Sequence, residues 1–407
     1  MHEEASGPHV GLLMHSVLPR GGVVHTLELA IALARAGTRV TVMAPVEPSQ
    51  SLFRALPAGL PLRFHPLAMP RPQGEDLGDQ VGQRIGALMR ALPAAIRASG
   101  VDVLHAQDSL NGAALAQLSP AVPWLRTVHH LDAFADPRLA RWQDTGWRSA
   151  RAVCCVSDLW LGHLRANVDV PPIFRVFNGV DLQRFHPGRG ADDEGALAPL
   201  RAAGLDDAPI VLAVGGVEER KNSARLLRAF ARLRHEVPAA ARARLVVAGG
   251  ASLLQHGAEQ QHWRAVLRET GLSEGAGASV WRTGALPDPA IPALMRRARL
   301  LALPSLNEGF GLVALEALAC GTPVLVSRRA PFTEHLQGVA GVTWCEPLDD
   351  ASIALGLAHA WARPRLPAAP EVCHAHSWPR SARAHLHIYQ GVLATHPTSE
   401  RPLPCLP

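Results

Sequence analysis

Short, almost unbroken apolar runs alternate with helical segments along this chain, and the alternation happens twice. In the first half His9–Ser16, Arg39–Ala44, Val101–Ala106, Trp124–His130, Ala152–Ser157 and Ile173–Phe177 read as strands. Val23–Ala36 has helical periodicity and ends at Gly37, a residue suited to closing a helix. Strands that are apolar on both faces belong to a parallel sheet covered by helices on both sides. The pattern restarts after Asp181–Pro209, whose Gly, Pro and Asp clusters read as a linker. The second array has strands at Ile210–Gly215, Arg244–Ala248, Val280–Thr283, Leu300–Leu303, Pro323–Ser327 and Gly341–Cys345. Its helices are Ser223–His235, Pro292–Arg299 and Leu312–Ala319. The expectation is α/β, with two Rossmann-like doubly wound domains facing across a cleft. The first spans 1–182 and the second 205–375, with a helix over 378–395 and a disordered Pro-rich tail at 396–407. The stretch Pro48–Asp79 reads as a variable loop region.

Composition narrows the function. A chain of 407 residues exceeds a typical single core, and 48% apolar with 18% charged residues describes a folded protein. The net charge of +5 comes from arginines mixed with acidic residues, which makes no case for nucleic acid. Contact with an anionic membrane surface would be peripheral at most. No run approaches the roughly 18 apolar residues of a membrane span, and the acidic Met-His-Glu-Glu start is no secretory signal. A soluble cytoplasmic protein is expected. The six cysteines form no C-x-x-C pair and read as free buried thiols. Cys373-His374-Ala375-His376 with His385 and His387 lacks a compelling ligand spacing, so no metal is expected.

Four motifs carry chemistry. Asn307-Glu308-Gly309-Phe310-Gly311 leads from a strand into the helix holding Glu316. Gly309 and Gly311 let backbone approach a ligand, and first-turn amides point at an anion such as a diphosphate. Glu308 sits at the strand end, where doubly wound sheets place ligands. Glu316, inside the helix, is suited to a pair of hydroxyls such as a ribose diol. The second motif, Val214-Gly215-Gly216-Val217-Glu218-Glu219-Arg220-Lys221-Asn222, contains the only lysine of the chain. Adjacent cations at a strand end suit a diphosphate leaving group. The third, Pro19-Arg20-Gly21-Gly22-Val23, places paired glycines at a helix start, and it is not the G-x-G-x-x-G of a nicotinamide-binding enzyme. The fourth, Thr127-Val128-His129-His130-Leu131-Asp132, puts a histidine at a strand end.

The Glu308–Glu316 spacing resembles the E-x7-E element of retaining glycosyltransferases of the GT-B fold, family 4 in particular. The resemblance spans nearly the whole chain and is closest to a bacterial subgroup. It implies that Glu308 contacts the donor sugar and Glu316 the nucleotide ribose. Lys221 matches the lysine of the family's G-R-x4-K-G element, while Gly216 occupies the arginine's place. Arg220 is then the candidate to supply that charge. Gly21 and Gly22 match the loop facing the donor. His129 matches the histidine facing the donor sugar, with His130 as its substitute. Asn178-Gly179-Val180-Asp181 resembles the family's hinge. Ser377-Trp378 with Tyr389 resembles its terminal helix, which returns to the first domain.

These residues imply transfer of a hexosyl unit from a nucleoside diphosphate sugar to an acceptor hydroxyl, with retention, no metal and no bound cofactor. Glu308, Lys221 and His129 are the catalytic candidates. Gly21, Gly22, Arg220, Gly309, Phe310, Gly311 and Glu316 are the donor-binding candidates. A sugar phosphorylase, a nucleotide-sugar epimerase and a non-catalytic nucleotide-sugar-binding module share the scaffold. The base, the sugar, the acceptor and the oligomeric state are not encoded in these motifs.

Overall fold

The computed structural model describes residues 7–74, 76–205, 207–250 and 257–395. The chain forms two compact units. The first contains the chain up to Val156, then Trp160–Val176 and the segment from Pro379 onward; the second contains Ser157–Leu159 and Phe177–Trp378.

The first unit is built on strands β1 (Val10–Leu13), β2 (Val40–Val46), β3 (Leu62–Ala68), β4 (Val103–Ala106), β5 (Trp124–Val128), β6 (Ala152–Cys155) and β7 (Ile173–Arg175). They lie in the order β3-β2-β1-β4-β5-β6-β7, and every pairing is parallel. Every residue of β1, β4, β5 and β6 is buried, as the unbroken apolar runs require. Most strands stop short of their sequence-expected ends. Met14, His129 and Ser157 lie beyond the strands they were expected to extend, and such strand-end loops are where this architecture carries its ligands.

Two expectations are corrected here. Pro48–Asp79 is not all loop, because β3 runs through it. Its polar residues and Pro66 hid it, yet β3 pairs only with β2, and an edge strand tolerates proline and half-exposed side chains. The first helix covers Gly21–Arg35, so it begins at the glycine pair and not at Val23.

The second unit is built on β8 (Ile210–Val214), β9 (Arg244–Ala248), β10 (Val280–Gly284), β11 (Leu300–Leu303), β12 (Val324–Ser327) and β13 (Val342–Cys345). All pairings are parallel, in the order β10-β9-β8-β11-β12-β13. The expected linker 181–209 belongs to this unit and carries short helices at Asp193–Ala196 and Ala198–Ala202. Asp193 anchors it through Arg296, whose Nε donates to Oδ2 at 2.8 Å, while Leu200 is buried beside it. That long-range ion pair is invisible in a local reading of Gly, Pro and Asp residues.

Gly179 was expected to make a turn. Its backbone is not left-handed, and it serves a close approach: a Cβ there would lie 2.1 Å from the Trp378 nitrogen. Val180 bridges to Ser377 at the same place. The terminal helix, Trp378–Ala394, passes almost entirely into the first unit. Tyr389 on it is wholly buried and shares a 2.7 Å hydrogen bond with His105 Nδ1 of β4. The expected tail at 396–407 lies outside the described residues. No helix among the described residues is long and apolar enough to cross a membrane, and the described cysteines are free and buried.

Candidate active site

In the second unit the strand order reverses between β8 and β11. Helices Ser223–Glu236 and Leu312–Ala319 begin just beyond the carboxyl ends of these two strands. A doubly wound sheet opens its ligand crevice at such a reversal, and helix N-termini there favour an anion.

The E-x7-E segment and the lysine motif meet at this point. Glu308 is buried, and its Oε1 accepts from Lys221 Nζ at 2.6 Å and from Ser305 Oγ at 2.8 Å. Its Oε2 faces the Arg220 guanidinium at 3.4 Å, and the other terminal nitrogen of Arg220 donates to Glu218 at 3.1 Å. Burial alone would raise the Glu308 pKa; the Lys221 and Arg220 charges and the Ser305 hydroxyl outweigh it and hold the carboxyl below its ordinary range. Glu308 is therefore ionised at neutral pH, with both oxygens engaged. Within the Glu-Glu-Arg-Lys run, Glu218, Arg220 and Lys221 form a paired cluster of low exposure with Glu308, while Glu219 faces solvent.

Asn222 holds the cation turn in place. It is buried in a left-handed conformation with φ of 60°. Its side-chain amide donates to the carbonyls of Pro304 at 2.9 Å and Pro347 at 2.6 Å, just beyond β11 and β13. The Leu306 amide in turn donates to the Arg220 carbonyl at 2.9 Å. Lys221 and Arg220 are thus fixed to the segment that carries Glu308.

Gly309 and Phe310 form the bend ahead of the helix, and Gly311 is its N-cap residue with φ of 83°. A Cβ on Gly311 would lie 2.3 Å from Phe332, so crowding as well as backbone conformation demands glycine. Phe310 turns its ring inward, buried and stacked on His335 with centroids 4.6 Å apart. Glu316 lies on the second turn of the helix and is buried.

In the first unit the strand order reverses between β1 and β4. Gly21 and Gly22 are the first two residues of the helix after β1. Within this unit, a side chain at 21 would meet nothing within 4 Å, and one at 22 would meet only His129, at 3.9 Å. The His129 ring stands edge-on to His25 at 4.5 Å, and its Nε2 is buried without a hydrogen-bond partner. Burial, with His25 and Arg126 nearby, lowers the His129 pKa well below the usual value, so the ring is neutral at physiological pH. His130 instead reaches Asp132 at 3.5 Å and is more exposed.

Sequence reasoning passed over several neighbours. Glu218, Asn222 and Ser305 stood inside or beside the quoted motifs, but their partners are distant in sequence. Arg126 interrupts the apolar strand Trp-Leu-Arg-Thr-Val, which is the signal that could have found it. It is 3% exposed, bonds the Thr127 carbonyl and Ser109, and burial brings its pKa down to about 10. Gln107, just beyond β4, has both amide atoms buried without a hydrogen bond. The set Cys373, His374, His376, His385 and His387 is not assembled as one group: Cys373 donates to the Leu315 carbonyl in the second unit, whereas His385 belongs to the first.

Comparison with known proteins bears on both units. The model described as Glycosyltransferase Family 4 matches residues 19–184, and that described as Glycosyl transferases group 1 matches residues 201–368. A D-inositol 3-phosphate glycosyltransferase of Salinispora tropica is 30% identical over 93% of this chain and 82% of its own length. The chain belongs to the glycosyltransferases. The fold of this glycosyltransferase is GT-B. A sucrose-phosphate synthase from Thermosynechococcus elongatus superposes with a TM-score of 0.74, at 22% identity, over 95% of this chain and 99% of that one. HepE of Anabaena, solved in complex with UDP and glucose, gives 0.68 at 16% identity, over 94% and 99%.

Proposed function

We propose that this glycosyltransferase transfers a hexosyl unit from a nucleoside diphosphate sugar to an acceptor hydroxyl with retention at the anomeric carbon, without a metal ion in the transfer step. One observation carries the reading: the buried Glu308 carboxylate, clasped by Lys221, Arg220 and Ser305 at the β8/β11 reversal between two helix starts. On donor binding the diphosphate takes over Lys221 and Arg220, together with the amides that open the Leu312–Ala319 helix. Glu308, released from its cations, accepts hydrogen bonds from the sugar hydroxyls. Glu316 takes the ribose diol, and Phe310 contributes through its backbone, since its ring is packed away.

In the reaction the bond from the anomeric carbon to the diphosphate oxygen breaks, and its electron pair leaves with the diphosphate. The acceptor oxygen bonds to the anomeric carbon on the same face, and its proton passes to the departing phosphate oxygen. Lys221 and Arg220 stabilise the charge that develops there. Glu308 is neither acid nor nucleophile in this scheme: it is ionised, so it has no proton to give, and its oxygens are occupied in accepting from the sugar hydroxyls. Within the first unit, neutral His129 keeps an Nε2 without a hydrogen-bond partner, which suits it to bond a ligand. Gly21 and Gly22 fit a role beside a ligand, since neither packing within their own unit nor a left-handed φ requires glycine there.

UDP in the HepE complex and D-inositol 3-phosphate in the names of the relatives choose the first compounds to test. Thermal-shift measurements with UDP, GDP, ADP and their sugars should single out one base. Transfer to an inositol phosphate or another polyol should then proceed in chelator, with the anomeric configuration of the product read by NMR. No shift with any nucleotide, or an inverted product, would overturn the proposal.

A further inference from the structure

The first unit contains a second assembly of reactive side chains that the transfer chemistry leaves unused. His105 of β4, Cys154 of β6 and His385 of the terminal helix are all buried. One ligand atom of each lies within 4.8 Å of the other two. We propose that these three residues form a structural site for a thiophilic metal ion, zinc(II) in the first instance, which fastens the terminal helix to the sheet.

The hydrogen bonds of the two imidazoles carry the argument. His385 Nδ1 lies 2.9 Å from the Ser381 carbonyl oxygen. A carbonyl only accepts, so Nδ1 bears the proton and Nε2 of the neutral ring presents a bare lone pair. That Nε2 is fully buried and has no hydrogen-bond partner. A lone pair left unmatched in the interior is costly, and nothing in the transfer chemistry uses it.

His105 is arranged alike. Its Nδ1 shares a 2.7 Å hydrogen bond with the Tyr389 hydroxyl, and its Nε2 lies 2.6 Å from Thr127 Oγ1. The Cys154 thiol also bonds Thr127. With Nδ1–H donating to Tyr389, Nε2 of His105 is the nitrogen on the thiol side. Each histidine then offers Nε2 to the cluster while an outer oxygen, from Ser381 or Tyr389, fixes its Nδ1–H. Metal-ligating histidines are oriented by such outer partners. Two imidazoles and a thiol make a ligand set that zinc and other thiophilic ions accept.

Zinc–nitrogen and zinc–sulfur bonds of about 2.0–2.3 Å place ligand atoms roughly 3.5 Å apart in a tetrahedral site. The cluster therefore has to contract by about an ångström, with the Thr127 hydroxyl rotating aside. The Cys154 sulfur would bind as thiolate and release its proton to solvent as the ion enters, an event coupled to folding because the site is closed.

The test uses the full chain with Cys405 replaced by serine and any purification tag removed. It is produced and refolded with zinc, and its metal content is measured per chain. One equivalent should be retained against a chelator and should raise the unfolding temperature. Cobalt(II) in place of zinc should give a thiolate charge-transfer band. Cys154→Ser should abolish that band, and His385→Gln should weaken retention by at least about a hundredfold. Tyr389→Phe, which keeps all three ligands, should weaken it by about tenfold, and it decides the matter if the ligand variants fail to fold. Absence of retained metal in the native chain, or retention unchanged in all three variants, would overturn the proposal.

Discussion

Replacing Lys221 with methionine removes the ammonium and keeps most of the stem, so it isolates the charge. At 2.6 Å from Glu308, an effective dielectric of about 20 gives a gross attraction of roughly 6 kcal/mol. Most of that is cancelled by taking both charges out of water, and Arg220 at 3.4 Å and Ser305 at 2.8 Å still hold the carboxylate. A net stability loss of about 2–3 kcal/mol is therefore expected, below the 3–5 kcal/mol typical when a buried carboxylate loses its only partner. In a double-mutant cycle with Glu308→Gln, the coupling should be at least about 1 kcal/mol. The pH dependence follows from the depressed Glu308 pKa. A carboxyl whose folded pKa is lowered contributes stability that is fully present above the ordinary value of about 4.3 and is lost as pH falls through the folded value. The gap between the native chain and Lys221→Met should therefore be wide at neutral pH and close as pH drops below that range. The same substitution should cut kcat by about 10²–10³, the usual effect of removing one donor to a developing charge. Urea unfolding across pH, with initial rates measured well below the unfolding transition, checks both. Coupling below about 0.3 kcal/mol would refute the buried-pair reasoning, and turnover within a few-fold of native would refute the role in charge stabilisation.

Further outcomes are expected at four positions. Asn222→Ala frees two carbonyls and leaves a left-handed alanine, so it should cost about 2–4 kcal/mol, read by chemical denaturation. It should also lower kcat by displacing the cation turn. Gly311→Ala should lower the melting temperature by several degrees, because φ of 83° and the 2.3 Å approach to Phe332 both oppose it. A native-like melting temperature would show that the helix start relaxes. Glu308→Gln should keep the nucleotide-induced thermal shift and lose transfer; near-normal turnover would sink its role at the sugar. His129→Ala should depress kcat, and the native pH–rate profile should show no His129 titration between pH 6 and 8, because that ring is held neutral. A limb in that window abolished by His129→Ala would contradict its burial.

The central strands were legible because they are buried on both faces, and a run such as Val-Leu-Val-Ser has few other uses. β3 was not, since an edge strand needs only one apolar face, and Leu62 and Leu67 are its sole buried residues. The helices of 193–202 were missed for a different reason. Asp193 reads as a linker residue until Arg296, about a hundred positions away, gives it a charge to bury against. Of the candidate site, Glu308 and Lys221 were readable because their backbone setting is local: a strand end, a glycine bend, a helix start. Their mutual contact was not, since it joins loops after β8 and β11 that only the parallel order makes neighbours.

The missing arginine at Gly216 shows most clearly what spacing can and cannot say. Spacing counts residues along an assumed backbone, and here the backbone changes course. The Glu219–Lys221 segment winds as a tight 3₁₀ turn and ends at left-handed Asn222, which carries the Arg220 guanidinium to Glu308. Gly216 is meanwhile hemmed in, for a Cβ on it would lie 3.1 Å from the Gly250 carbonyl oxygen and 3.3 Å from Glu218. An arginine at 216 would have to push that backbone aside and would compete with Arg220 for the same carboxylates. On the proposed reading, Arg220, four residues along the loop, supplies the charge in place of an arginine at 216. Arg220→Ala should then resemble Lys221→Met in kcat, whereas Gly216→Arg in that background should not restore turnover. Rescue by Gly216→Arg would mean that the two positions are equivalent and that the course of this turn is unimportant to the charge it presents.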